Sequence, residues 1–271
     1  MILDELVRSS TAGAAQRESL TSLKELEKCL GKVESPRGFV AALLGAPGVG
    51  LIGELKPASP SAGIIREPFA VRPLAQELVR GGANCLSVLT EVQHFHGALE
   101  NLALADVGVP RLQKDFVVSE YQIVEGRSHG ADAVLLIAEV LAPQRAAQLC
   151  ELALSLGMDV LYEAHDVKRM QQVVQLAETQ PDRILVGINN RDLRTFQVDL
   201  LTTVHALGWI PEHLHVVGES GIHSPADVQQ LCDAGVRGLL VGESLMRQEH
   251  VEQAVRTLLS RVRGASGSRG E

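Results

Sequence analysis

Two carboxylates and two lysines carry the clearest chemical potential in this chain. Glu54 and Lys56 stand two residues apart in ELKPASPSAG (54–63), and Lys114 and Glu163 close two further apolar runs. Residues two apart on a strand share a face. Pro57 has no donor for a ladder, so a strand carrying Glu54 and Lys56 stops there. Acids and lysines gathered in one partly dry site could do general acid–base work. In such a site Lys56 and Lys114 should lower one another's pKa, and Glu54 and Glu163 should raise one another's. The plainer reading is structural: a strand-end ion pair at Glu54 and Lys56, and a solvated pair at Lys114 and Asp115.

Two further stretches could hold an anion. GESGI (218–222) and VGESLM (241–246) place small residues where a strand gives way to a helix. Small residues let backbone N–H groups approach an anion, and a helix N-terminus adds positive potential. Glycine at a strand exit is equally a turn residue. His94 and His96 flank Phe95, but a zinc site needs a third ligand at a compatible position and none is evident. We expect no metal.

These residues need elements to bring them together. Short apolar runs recur at 51–56, 84–90, 109–116, 132–137, 158–163, 183–190, 215–220 and 237–242, with helix-like segments between them. The spacing suits successive strand–helix units. The near-continuous hydrophobicity suits parallel strands buried on both faces. Eight such units predict a (β/α)8 TIM barrel, an α/β fold whose active site lies at the C-terminal ends of the strands. Six of the eight strands would deliver polar or charged groups at that end. GGAN, HGAD and DAGVRG read as helix-to-strand turns in which a glycine ends the helix.

Residues 1–48 read as an N-terminal helical extension, 49–262 as the barrel and 263–271 as a disordered tail. Leu20, Leu23, Leu26 and Leu30 predict one helix over 19–30, ended by Gly31. Ser35-Pro36 predicts the opening of a second, running through Leu44. Pro57 to Arg66 reads as a loop, and we expect it to cover the site.

The chain has 271 residues, a net charge of −8 and 45% apolar residues. That apolar share supports a sizeable core. The negative balance argues against general nucleic-acid binding, so an anionic ligand needs a local site. No apolar run reaches the length of a bilayer span. The start, MILDELVRSS, lacks the pattern of a signal peptide. Cys29, Cys85, Cys150 and Cys232 are too widely spaced for a disulfide framework or a zinc site. They read as reduced thiols in a cytoplasmic protein.

Taken together, ELKPASPSAG (54–63), SVLTEVQHFHGAL (87–99), LQKDF (112–116), GADAVLLIA (130–138), GMDVLYEAHD (157–166), GINNRDL (187–193), ESGI (219–222) and VGESLM (241–246) resemble the indole-3-glycerol phosphate synthase family. The loop His94–Ala98 has alanine where that family often has serine. The resemblance covers about residues 1–260. It implies ring closure, decarboxylation and dehydration of 1-(2-carboxyphenylamino)-1-deoxyribulose 5-phosphate, without a cofactor, by a carboxy-lyase of tryptophan biosynthesis. It implies Lys114 as the general acid, Glu163 as a proton relay or stabiliser of the cationic intermediate, and Glu54, Lys56 and Asn189 in the later dehydration. Ser59, Phe95, Phe116, Leu135 and Arg191 would line the substrate pocket. Ser220, Gly221, Gly242 and the backbone of Glu243 would hold the phosphate. The partner expected is a small phosphorylated substrate, with no nucleic acid or membrane, on a monomer or weak homodimer. The alternatives are another phosphosugar barrel, such as phosphoribosylanthranilate isomerase, or a phosphate-binding barrel without catalysis.

Overall fold

A computed structural model describes residues 2–192 and 195–263. Eight parallel strands form a closed barrel: β1 (Gly50–Leu55), β2 (Cys85–Leu89), β3 (Arg111–Lys114), β4 (Ala133–Ile137), β5 (Asp159–Ala164), β6 (Ile184–Asn189), β7 (Val216–Glu219) and β8 (Gly238–Val241). Each strand pairs with the next in sequence, and β8 closes on β1 through Gly50↔Gly238 to Gly53↔Val241. Six of the predicted runs contain a strand whole, and the other two, 51–56 and 158–163, are each one residue out of step with β1 and β5. Helices follow the strands and cover the outside of the barrel. The expected turn glycines Gly82, Gly130 and Gly235 have φ of 122°, 90° and 105°. L side chains rarely adopt that region, and glycine enters it freely.

Both strand faces are buried, and alternate residues still go to different cores. Ile52, Leu112, Leu161, Leu185, Val217 and Leu240 point into the barrel with Cys85, Ala133 and Leu135. Leu51, Leu86, Val134, Leu136, Val160 and Val186 pack under the outer helices. Two residues on from the inner apolar layer come Glu54, Lys114, Glu163, Gly187 and Glu219. The side-chain period of two thus carries each strand from an apolar floor to a charged rim.

The N-terminal segment departs from its sequence reading in two places. The helix expected over 19–30 is divided between α1 (Ile2–Leu20) and α2 (Leu23–Leu30). Ser22 forms a reciprocal capping box with Glu25. This local bond starts a new helix where the leucine spacing alone suggested continuity. The next helix, α3 (Phe39–Leu44), begins after Gly38 and not at Ser35-Pro36. Its Phe39, Val40 and Leu43 are buried against Ile52, Cys85 and Leu240 and plug the end of the barrel where the strands begin. The segment after β1 is more ordered than a plain loop. Ala58–Ser59 and Gly63–Ile64 pair antiparallel, and the backbone N–H groups of Ile65 and Arg66 donate to the Pro57 carbonyl. The tail expected from 263 starts within the helix Ser260–Arg263, and residues 264–271 lie outside the described residues.

Candidate active site

The strand register assembles the rim. Leu89 is level with Lys114, Ile137 with Glu163, Glu163 with Gly187 and Asn189 with Glu219. Lys114 Nζ lies 2.9 Å from Glu163 Oε2 and 3.4 Å from Glu219 Oε2. Across the mouth, Lys56 Nζ lies 2.5 Å from Glu54 Oε2, and Ser87 Oγ donates to Glu54 Oε1 at 3.4 Å. Asn189 Nδ2 donates to Glu163 Oε1 at 3.4 Å. The side-chain oxygen of Asn189 accepts from Ser220 Oγ and from the Arg191 N–H. All the residues expected to be catalytic, substrate-binding or phosphate-binding line one cavity: Glu54, Lys56, Ser59, Phe95, Lys114, Phe116, Leu135, Glu163, Asn189, Arg191, Ser220, Gly221, Gly242 and Glu243.

The charges distribute differently from the sequence expectation. Burial favours the neutral amine of Lys114, but Glu163, Glu219 and Glu54 outweigh it and raise its pKa above the ordinary lysine value. The net shift is therefore opposite to the one expected from a second lysine. Burial also works against the Glu163 anion, yet Lys114, a hydrogen bond with Glu219 and the Asn189 amide hold its pKa below the ordinary value. Glu219 is the carboxyl pushed well up, first by burial and then by Glu163. Glu163 and Glu219 thus share one lysine and shift in opposite directions, Glu163 held down and Glu219 pushed up. Glu219 Oε1 is buried with no hydrogen-bond partner.

Gly187 makes room for this arrangement. A Cβ at that position would lie 2.6 Å from Glu219 Oε1 and 2.9 Å from Glu163 Cβ, closer than real Cβ contacts allow. The rim is also fixed from outside the barrel. Asp115, solvated only on the plainer structural reading, is buried, and it accepts from Ser10 Oγ and Thr90 Oγ1 at 2.6 Å each. Burial raises its pKa, against those two donors and the Phe116 N–H. Glu91 accepts from Ser9 Oγ and from the backbone N–H groups of His94 and Phe95. These bonds outweigh its burial and lower its pKa. They fix Phe95, whose ring centroid lies 6.1 Å from that of Phe116 at a 43° tilt. His94 stands between Glu91 and Glu5, which raise its pKa against its burial, so it ties α1 to the loop after β2.

Sequence reasoning overlooks three contributors. Glu219 falls at a strand end but receives no role, although it follows the inward Val217 by two residues. Glu91 lies in a loop with no periodic signal. Leu6 reaches the cavity from α1, whose buried face of Leu6, Ser10 and Ala14 is too mixed to look apolar.

At the opposite wall, Ser220 (φ 65°) and Gly221 (φ 76°) are successive left-handed residues beside Gly242 and Glu243. The cavity therefore has an apolar side of Leu6, Phe95, Phe116, Leu135, Ile137 and Leu240, a lysine–carboxylate rim, and a backbone-lined end. It can hold a molecule with an apolar ring, a reacting polar centre and an anionic tail.

Comparison with known proteins bears on the family. The family model described as indole-3-glycerol phosphate synthase matches residues 3–258. Proteins of that name from Koribacter versatilis and Rhodopirellula baltica are 43% and 42% identical to this chain. The first match covers 95% of this chain and 97% of that protein, and the second 96% and 99%. Among solved structures, 3-hexulose-6-phosphate synthase from Salmonella typhimurium superposes with a TM-score of 0.63 at 13% identity, covering 80% of this chain and 99% of that one. That likeness speaks to the fold alone. The family match and the two relatives extend over nearly the whole chain, which belongs to the indole-3-glycerol phosphate synthase family.

Proposed function

We propose that this cavity performs the family's reaction, the conversion of 1-(2-carboxyphenylamino)-1-deoxyribulose 5-phosphate to indole-3-glycerol phosphate with loss of carbon dioxide and water. The observation that carries the reading is Lys114, mostly buried between Glu163 and Glu219 and facing an apolar wall.

The aromatic ring lies against Phe95, Phe116 and Leu135, and the phosphate is held by Ser220, Gly221, Gly242 and the Glu243 backbone. Lys114 stays protonated because three carboxylates favour its charge. When the ring carbon attacks the substrate carbonyl, the developing alkoxide becomes the stronger base and takes the Lys114 proton. Glu163, held as an anion, stabilises the positive charge left on the nitrogen. The apolar wall favours loss of carbon dioxide, because it solvates a carboxylate poorly. Removal of the hydroxyl then needs a proton donated to oxygen and another taken from carbon, and these transfers are assigned to Glu54, Lys56 and Asn189. Ser59 and Arg191 position the polar part of the substrate.

The same proposal has the chain working in the cytoplasm as a monomer or weak homodimer. No described helix is long and apolar enough to cross a membrane, and all four cysteines are unpaired. The proposal divides the chain into an extension, 1–48, and a barrel, 49–262; Leu6 of the extension lines the cavity, and Ser9 and Ser10 bond Glu91 and Asp115 behind it. With synthetic substrate, product fluorescence should rise with the wild-type protein. Lys114→Ala should lower kcat about 10²-fold or more, the scale of general acid catalysis, with the fold intact. Wild-type turnover in that variant would sink the assignment.

A further inference from the structure

Glu243 occupies an electrostatically awkward place. Its backbone belongs to the proposed phosphate end, yet its side chain brings a carboxylate to the wall of an anion site. Two guanidinium groups answer that charge. Arg247 meets Glu243 Oε1 with Nη2 at 3.0 Å and Nε at 3.3 Å. Arg191 Nη2 stands 3.6 Å from Glu243 Oε2. The other Arg191 nitrogen, Nη1, donates to Ser61 Oγ at 3.3 Å and to the Phe196 carbonyl at 3.4 Å. Arg191 therefore joins the segment after β1, the segment after β6 and the short helix after β8.

We infer that the Glu243 carboxylate is a positioning residue. It holds Arg191 across the mouth of the cavity, facing the middle of the substrate, and keeps it from collapsing onto the phosphate. Arg191 needs an anion, since its other two partners are neutral oxygens. In Glu243→Gln, the phosphate held at the same end becomes the anion to which Arg191 can turn. The carboxylate thus weakens phosphate binding by its charge while strengthening whole-substrate binding through Arg191. A bare charge in the phosphate end would not do both, and neither would a purely structural side chain.

This inference rests on the proposed phosphate end, and the two fail separately. Inorganic phosphate should inhibit the wild-type enzyme competitively; absence of competition overturns the phosphate end itself. In Glu243→Gln the inhibition constant for inorganic phosphate should fall and the KM for substrate should rise, each about two- to fivefold, the scale of a partly exposed ion pair. The KM rise should vanish when Glu243→Gln is added to Arg191→Gln, because the pair is then already broken. Opposite movement of the two constants supports the positioning role. Movement in the same direction, no movement, or an undiminished KM effect in the double variant overturns it.

Discussion

At the end of the barrel where the strands begin, Asp132 and Asp159 are buried beneath α3. Asp132 accepts from the Arg37 N–H and the Arg111 N–H at 2.8 Å each, and pairs with the Arg111 side chain. Asp159 accepts from the Val40 N–H at 2.9 Å and from Arg183. At the end where the strands stop, Glu163 and Glu219 share Lys114, and one buried oxygen of Glu219 has no donor. Both ends bury acids of the same chemical type. The first gives each at least one backbone amide and a guanidinium, so its charge is met and fixed. The second leaves one carboxyl short of donors, its pKa pushed up by burial and by its neighbour Glu163. Under-compensation of this kind opposes stability, and under the proposed function it serves proton transfer, so that the two ends divide those tasks.

The largest effect that could break this division comes from the strand-start end. Asp132→Ala leaves the buried Arg111 short of its partner and two amides unsatisfied. Removing one member of a buried ion pair costs about 3–5 kcal/mol. Denaturant titration should show a loss on that scale, and kcat should stay near wild type under folding conditions. A variant with unchanged stability and impaired turnover would erase the distinction between the two ends.

A smaller loss is expected at the rim. In Gly187→Ala the new Cβ meets Glu219 Oε1 and Glu163 Cβ, and neither can retreat within a buried rim. Overpacking of this sort costs about 1–3 kcal/mol. Turnover should fall further than that loss suggests, by up to about 10²-fold, because a carboxylate displaced by an ångström is misplaced for proton transfer. Wild-type kcat with lowered stability would show that the rim tolerates the displacement.

The barrel was legible in the sequence because eight apolar runs at regular spacing admit few other architectures. The charged strand ends were legible because Glu54, Lys56, Lys114 and Glu163 each interrupt an apolar run. The balance between them was not. The pKa of Lys114 depends on how many carboxylates reach it, and Glu219 comes from a strand that reads in sequence as a phosphate exit. The direction of each charge effect follows from register across the barrel, which no single run reveals. The role of α1 was hidden for another reason. Its buried face carries Ser10 and Ala14, and it is chosen to bond Asp115 more than to fill an apolar core. The break at Ser22 depends on one local hydrogen-bond pair that overrides the leucine pattern.

The smallest effect probes the comparison most directly. Glu219 has a raised pKa in the folded protein, caused first by burial and then by Glu163. A carboxyl raised in this way favours folding most fully below the ordinary glutamate value of about 4.3, and that contribution is lost as pH climbs through the raised value. A glutamine at this position is neutral throughout, so Glu219→Gln should remove the loss. Unfolding free energies at pH 5 and pH 8 should then show the variant gaining on the wild type as pH rises. A gap between variant and wild type that is constant or shrinks with pH would mean that Glu219 is as well compensated as Asp132. The two ends of the barrel would then differ in position and not in kind.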